Sequence, residues 1–149
     1  MAAANAWSFY DTFKERLGDG GHDLDADTFY VALFLSTSNC ATLTHDLLAN
    51  LDNQHANANG YLTGGQALGG VTWTEAAGTI TFDCDPEVFT AAGGSIVCRF
   101  AVIYNWTHAD DLLVAFSLLD SAPADVTATN GNTLTITPHA SGVFTLATA

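Results

Sequence analysis

Two clusters of carboxylates are the first candidates for chemistry in this sequence. Asp23, Asp25 and Asp27 alternate as the ligands do at the start of a calcium-binding EF-hand loop. That loop also needs Gly at its sixth position and Glu at its twelfth, where this sequence has Thr28 and Phe34. The mismatch favours a solvated acidic turn, so we expect no metal site there.

The second cluster consists of Asp83, Asp85 and Glu87, which follow a predicted strand. Two carboxylates at a suitable separation can hydrolyse a glycosidic bond. The sequence shows no cluster of aromatic residues that would stack a sugar beside them, and acidic turns are common. We therefore interpret this cluster as an exposed turn and expect no catalytic residues in it.

Histidines and cysteines offer no further site. The five histidines are scattered, and Cys40, Cys84 and Cys98 lack the close spacing of zinc ligands. Cys84 and Cys98 either face each other on neighbouring strands as a disulfide or are buried free thiols, and the second reading is favoured. No phosphate-binding loop, dinucleotide motif or nucleophile elbow occurs. We expect no cofactor and no enzymatic activity.

Charge excludes other classes of partner. Three basic and sixteen acidic residues among 149 give a formal net charge of −13, which repels phosphate backbones, so we expect no nucleic acid. The longest apolar run, around residues 31–35, is too short to span a bilayer, and the N-terminus lacks the pattern of a secretory signal. The shortage of lysine fits either a high-salt environment or a basic partner surface.

The N-terminal part is predicted to be partly helical. Asn5 is placed to cap a helix in which Trp7, Tyr10, Phe13 and Leu17 recur at helical spacing. Residues 29–35 predict a strand buried on both faces. The leucines of residues 43–51 predict a second short helix.

From residue 71 onward the apolar pattern has a period of two, which predicts strands. They are expected at residues 71–73, 79–82, 96–104, 112–118, 125–129, 133–137 and 143–146. Asn130-Gly131 predicts a tight hairpin. The chain is therefore expected to be mainly β, an antiparallel β-sandwich of jelly-roll or Ig-like type with one or two short N-terminal helices. Its expected organisation is an N-terminal helical arm, 1–17, and one sandwich domain, 18–149.

Several turn-and-strand motifs cover about the last two thirds of the chain and resemble a group of small tailed-bacteriophage virion proteins. The motifs are Gly60-Tyr61-Leu62-Thr63-Gly64-Gly65-Gln66-Ala67-Leu68, Val71-Thr72-Trp73-Thr74, Thr79-Ile80-Thr81-Phe82-Asp83, Phe89-Thr90-Ala91-Ala92-Gly93-Gly94-Ser95-Ile96, Arg99-Phe100-Ala101-Val102-Ile103-Tyr104-Asn105, Asp125-Val126-Thr127-Ala128 and Ser141-Gly142-Val143-Phe144-Thr145-Leu146. The resemblance implies a non-enzymatic structural protein of the virion, assembled in the bacterial host cytoplasm. Within that group it suggests a capsid decoration (cement) protein that binds the major capsid protein and forms a homo-oligomer, with a trimer as the analogy. A tail or fibre protein and a glycan-binding or receptor-binding module are the alternatives.

Attachment to a partner is assigned to five residues. Aromatic side chains are unusually dense in the first 17 residues, which predicts an arm that packs on a neighbouring subunit and can be deleted without unfolding the sandwich. The alternative is that this segment simply caps the sandwich. Arg99 is expected to pair with Asp83 or Asp85 across a sheet, or with a carboxylate of the partner. The candidate interface residues are therefore Trp7, Phe9, Tyr10, Phe13 and Arg99.

Overall fold

The protein, described here over residues 6–148 of a computed structural model, is built mainly from antiparallel strands. Its one α-helix is α1 (Asp11–Asp19), and no helix in this part is long and apolar enough to cross a membrane. The strands are β1 (Ser8–Phe9), β2 (Phe29–Phe34), β3 (Gln66–Ala67), β4 (Thr72–Ala76), β5 (Thr79–Asp83), β6 (Glu87–Thr90), β7 (Ile96–Cys98), β8 (Phe100–Asn105), β9 (Leu112–Leu118), β10 (Val126–Ala128), β11 (Thr133–Ile136) and β12 (Phe144–Ala147).

The largest sheet has five strands in the order β1-β9-β8-β2-β3. Strand β2, which lies between β8 and β3, is buried along nearly its whole length, as the apolar run from residue 29 predicts. Tyr30 lies opposite Tyr104 of β8 and opposite Ala67 of β3. This register sets which side chains share each face of the sheet.

Three smaller sheets cover one face of the five-stranded sheet. They pair β12-β5-β4, β11-β6 and β10-β7. The main core lies between the layers, where Phe29 and Val31 of β2 share one apolar cluster with Phe82, Ile96 and Leu134 of the smaller sheets. The predicted mainly-β, antiparallel β-sandwich is confirmed, with one helix near the N-terminus.

The opposite face of the five-stranded sheet is covered by irregular chain. Cys40, Leu48 and Leu51 pack with Tyr10 against a second apolar cluster that includes Phe34. The prediction of a helix over residues 43–51 is wrong, because the helical structure in this segment is a single 3-10 turn, Leu48–Asn50.

Backbone pairing explains the missing helix. Leu47 bridges Leu112, the backbone N–H of Leu48 donates to Asp111, and that of Leu113 donates to Asp46. These bonds hold the segment extended beside β9. Pairing with the sheet therefore outweighs the helical spacing of the leucines.

The N-terminal segment also differs from its prediction. Ser8 and Phe9 form a strand that pairs with Phe116 and Ala115 of β9. The helix begins only at Asp11, and Gly20 ends it in the left-handed conformation with its N–H donating to Arg16. Asn5, the expected cap, lies outside the described residues. The boundary expected after residue 17 falls inside α1, so it does not separate two structural units.

The single long strand predicted over residues 96–104 is divided at Arg99. Ile96 and Cys98 before it and Ala101 and Ile103 after it all face the main core. Side-chain alternation therefore shifts by one residue at Arg99, where the chain leaves the β10–β7 pair and enters the five-stranded sheet. A single strand over residues 96–104 would place Ile96 and Ala101 on opposite faces, so the prediction of one continuous strand is wrong here.

The hairpin predicted at Asn130-Gly131 is a turn but not a hairpin. The N–H of Asn132 donates to the carbonyl of Thr129 over 2.8 Å, which closes the turn. The strand before it, β10, pairs with β7, and the strand after it, β11, pairs with β6. The turn therefore carries the chain from one small sheet to another.

Candidate functional site

The expected attachment arm belongs to the core of the sandwich. Tyr10 and Phe13 are 0% and 1% exposed. The Tyr10 hydroxyl donates to the carbonyl of Cys40 over 2.7 Å, and the Phe13 ring stacks on Phe9 and meets Phe144 edge-on. Trp7 and Phe9 are partly buried against the same cluster. The expectation of a free arm is corrected: this segment caps the sandwich, and the side chains of Tyr10 and Phe13 are not available to a partner.

Arg99 forms an ion pair within the chain. Its Nε donates to Oδ1 of Asp125 over 2.9 Å, so the partner is neither Asp83 nor Asp85. Both side chains are partly exposed, so the pair contributes little to stability. Because Arg99 directly follows β7 and Asp125 directly precedes β10, this ion pair connects the ends of the two paired strands.

The acidic clusters bind their own backbone. Oδ1 of Asp23 accepts the N–H groups of Asp25 and Ala26, and Oδ2 of Asp27 accepts the N–H of Asp23. In the second cluster Glu87 accepts hydrogen bonds from Gly69 and Gln66. Asp23 and Asp27 therefore cap their own turn, whereas Glu87 connects β6 to the segment that begins at β3. Within residues 6–148 no group of three or more His, Cys, Asp or Glu is placed to hold a metal ion.

The cysteines are free thiols. Burial raises the pKa of Cys40 to about 11 and, together with nearby carboxylates, that of Cys84 and of Cys98 to about 12. All three are therefore protonated near neutral pH, which leaves them poor nucleophiles. The disulfide considered between Cys84 and Cys98 is not formed.

A buried asparagine joins two loops at one end of the sandwich. Asn105, at the end of β8, is fully buried. Its Oδ1 accepts the N–H groups of Thr107 and His108 at 3.0 and 3.3 Å. Its Nδ2 donates to Oδ2 of Asp27 at 2.6 Å and lies 3.3 Å from Nδ1 of His22. One amide therefore connects the loop 19–28 with the β8–β9 connection, 106–111.

His22 is held neutral beside this amide. Burial lowers its pKa to about 4, and the charge of Arg16 acts in the same direction. Because Nδ2 of Asn105 can only donate, Nδ1 of His22 accepts and the proton lies on Nε2. That Nε2 has no hydrogen-bond partner in the described part of the chain. His22 also lines a groove of about 540 Å³ between the end of α1 and the β12-β5-β4 sheet, together with Leu17, Trp73 and Leu146.

An exposed tryptophan lies at the same end. Trp106 is 54% exposed, and its ring stacks on Tyr30 with centroids 5.3 Å apart and planes 17° from parallel. Tyr30 in turn meets the ring of Tyr104, 5.9 Å away, and the Tyr104 hydroxyl donates to the carbonyl of Gly64 over 2.8 Å. We call Trp106, Tyr30 and Tyr104 the aromatic ladder.

The two loops beside the aromatic ladder are strongly acidic. Residues 19–28 and 106–111 contain six aspartates and no lysine or arginine. The backbone N–H of Trp106 donates to Thr28, and the N–H of Thr28 donates to Oγ1 of Thr107, so the loops lie side by side. We call the ladder and these loops together the acidic–aromatic end. None of the motifs described above predicts this end, although a tryptophan just after a strand and before two aspartates is a signal for it.

Comparison with protein-family models, with curated proteins and with solved structures gave no match. The function is therefore argued from the geometry of the described residues and from the sequence motifs.

Proposed function

We propose that this protein is a non-enzymatic structural component of a tailed-bacteriophage virion, of the capsid decoration type. It binds the major capsid protein on the outer shell and stabilises the shell by adding buried interface. The mature protein is located in the virion after assembly in the host cytoplasm. As a decoration protein it acts as a homo-oligomer, and a trimer is the expected state by analogy.

The observation that carries this proposal is the role of the motif residues in the fold. Gly60 has a φ of +87°, and a Cβ there would fall on the carbonyl oxygen of Thr90. Tyr61 is buried, and its hydroxyl accepts hydrogen bonds from the N–H of Leu33 and from Gln54. Gly65 adopts a left-handed conformation against Val31 of β2. Because these positions demand particular residues, a shared motif supports a shared architecture.

The state of the chemical groups supports a structural role. The carboxylates of Asp23 and Asp27 accept backbone hydrogen bonds within their own turn, and Glu87 accepts one from the N–H of Gly69 in the segment between β3 and β4. The three thiols are protonated, and His22 is neutral and buried. Each of these groups contributes to folding rather than to an open reaction site.

Binding to a shell also fits the physics of small interfaces. A specific contact needs about 1,000 Å² or more of buried surface. Repetition over many equivalent capsid sites then raises the effective affinity without any new contact. A protein of this size can therefore stabilise a shell through many modest contacts.

Copy number in purified particles tests the proposal. We expect quantitative mass spectrometry of virions to find this protein at hundreds of copies, comparable with the major capsid protein. A few copies per particle would assign it to the tail or a fibre. Absence from particles that contain all other structural proteins would overturn the virion assignment.

A further inference from the structure

The acidic–aromatic end presents an exposed tryptophan ring that is already fixed in place. More than half of the Trp106 surface is open, while Tyr30 supports one side of its ring. The backbone N–H of Trp106 is bonded to Thr28, and the ladder is held at its other end by the bond from Tyr104 to Gly64. An ordered aromatic side chain of this kind loses little entropy when a partner covers it, and tryptophan is enriched among residues that dominate interface energies.

Charge around Trp106 selects the chemistry of the partner. Asp110 and Asp25 are exposed on the two loops. Arg16, in α1 before the first loop, has its Nε bonded to Asp46 over 2.9 Å, and Arg99, before β8, is paired with Asp125. The field at this end is therefore negative, and it attracts cationic groups from a distance.

A second copy of this chain is a poor source of those cations. The sequence has only three basic residues. Arg16 and Arg99 are both engaged in ion pairs within the chain, so the exposed Lys14 is the one basic side chain left to face a partner copy. Two copies meeting at this end would bring their aspartates together, and such like-charge contacts are unfavourable.

We propose that the acidic–aromatic end is the docking surface for a protein face that bears arginine or lysine, with a cationic side chain placed over the exposed part of the Trp106 ring. Tryptophan is the best aromatic acceptor of such a cation–π contact, and the surrounding aspartates pair with neighbouring cations. This inference rests on the proposed function in naming the capsid subunit as the partner. It replaces the N-terminal arm as the attachment surface.

A peptide titration tests the chemistry of the surface independently of the virion. Purified full-length protein is titrated with nona-arginine at low salt, and the indole N–H signals are followed by NMR. We expect the Trp106 signal to shift and Trp106→Ala to weaken binding about two- to fivefold. Val97→Ala is the matched control, because it truncates another exposed apolar side chain, 37% exposed, in β7, which precedes the start of β8, whereas Trp106 follows its end. It should bind like the wild type.

Three results of the titration would overturn the proposed surface. One is unchanged binding by Trp106→Ala, and another is an equal loss in Val97→Ala. The third is a Trp106 signal that shifts with a neutral oligosaccharide such as maltohexaose but not with nona-arginine, which would assign the ladder to carbohydrate.

A particle assay then tests the occupant. Shells freed of this protein are incubated with the wild type, Trp106→Ala and Val97→Ala, and the bound copies are counted at increasing salt. We expect Trp106→Ala to bind less than both others, and wild-type binding to weaken as salt rises. Wild-type binding that equals Trp106→Ala binding would overturn the surface while leaving the virion role intact. Failure of all three proteins to bind, with the peptide result positive, would overturn the capsid assignment and leave the surface.

Discussion

The side-chain amide of Asn105 donates a 2.6 Å hydrogen bond to the carboxylate of Asp27, across 78 positions of sequence. This bond connects the end of β8 to the loop that precedes β2. The same amide accepts the backbone N–H groups that begin the β8–β9 connection. The position of Trp106 therefore depends on a buried polar contact next to it as well as on ring stacking.

Removing this amide should destabilise the protein. In Asn105→Ala the N–H groups of Thr107 and His108 lose their acceptor, and the carboxylate of Asp27 loses one of its two donors, at partly buried positions. We expect the free energy of unfolding to fall by about 2–4 kcal/mol, because each unsatisfied group costs about 1–3 kcal/mol and rearrangement recovers part of it. Urea unfolding measures the loss. Asn57→Ala, at an exposed position, should change stability by less than about 0.5 kcal/mol, and equal effects of the two would contradict this role.

Acidification should destabilise the fold through His22. Its pKa is about 4 in the folded protein and 6.5 in the unfolded chain, so the unfolded state binds more protons between these values. The stabilising contribution of neutral His22 is fully present above pH 6.5 and is lost as pH falls. The total loss of unfolding free energy reaches about 3 kcal/mol once pH is below 4. Arg16, Asp27, His108 and Asp19 modulate this pKa.

A difference measurement isolates this effect from the titration of the carboxylates. Urea unfolding is compared for the wild type and His22→Phe at several pH values from 7.5 to 4. We expect the stability of the wild type relative to His22→Phe to decline steadily over this range. His139→Gln, at an exposed position, should follow the wild type. A constant difference between wild type and His22→Phe would show that His22 does not titrate as described.

The N-terminal segment should be required for folding. Phe13 is buried between Phe9 and Phe144, so Phe13→Ala should cost about 3–5 kcal/mol. Deletion of residues 1–17 removes this ring together with Tyr10 and β1, and we expect the truncated chain to lose its cooperative thermal transition. The exposed Leu62 provides the control, as Leu62→Ala should leave stability nearly unchanged. A truncated chain that melts like the full-length protein would restore the free-arm interpretation.

Sequence patterns correctly predicted two kinds of strand: those in which nearly every residue is apolar, and those in which apolar and polar residues alternate regularly. The strands β2 and β9 lie where the apolar runs placed them, with β9 matching its predicted residues 112–118. The strand β6 (Glu87–Thr90) was missed, because it begins directly after Pro86 within an acidic cluster that indicates a turn. Its strand structure comes from pairing with β11.

The candidate site was beyond sequence reasoning for a geometric reason. Tyr30 and Trp106 are brought together only by the pairing of β2 with β8, in which Tyr30 lies opposite Tyr104. Local patterns do not specify that register. Aromatic density pointed instead to the N-terminal segment, where the same residue types serve the core.

Substitution of Gly65 tests the close contact between the turn before β3 and strand β2, which carries Tyr30 of the aromatic ladder. Its φ is +78°, and a Cβ at this position would fall on the backbone carbonyl of Val31 in β2. We expect Gly65→Ala to destabilise the protein by about 3 kcal/mol or more, because the left-handed conformation costs about 1–2 kcal/mol and the clash moves backbone. Gly78→Ala is the matched control: its φ is +83°, but no atom lies within 4 Å of the added Cβ. It should show the conformational cost alone, about 1–2 kcal/mol.

Thermal unfolding of both variants measures the difference, and equal losses would mean that the turn before β3 does not press against β2. Tyr30 is the neighbour of Val31 in β2, and its ring stacks on Trp106. We therefore expect Gly65→Ala to shift the Trp106 indole signal in NMR spectra as well, whereas Gly78→Ala should leave that signal unchanged.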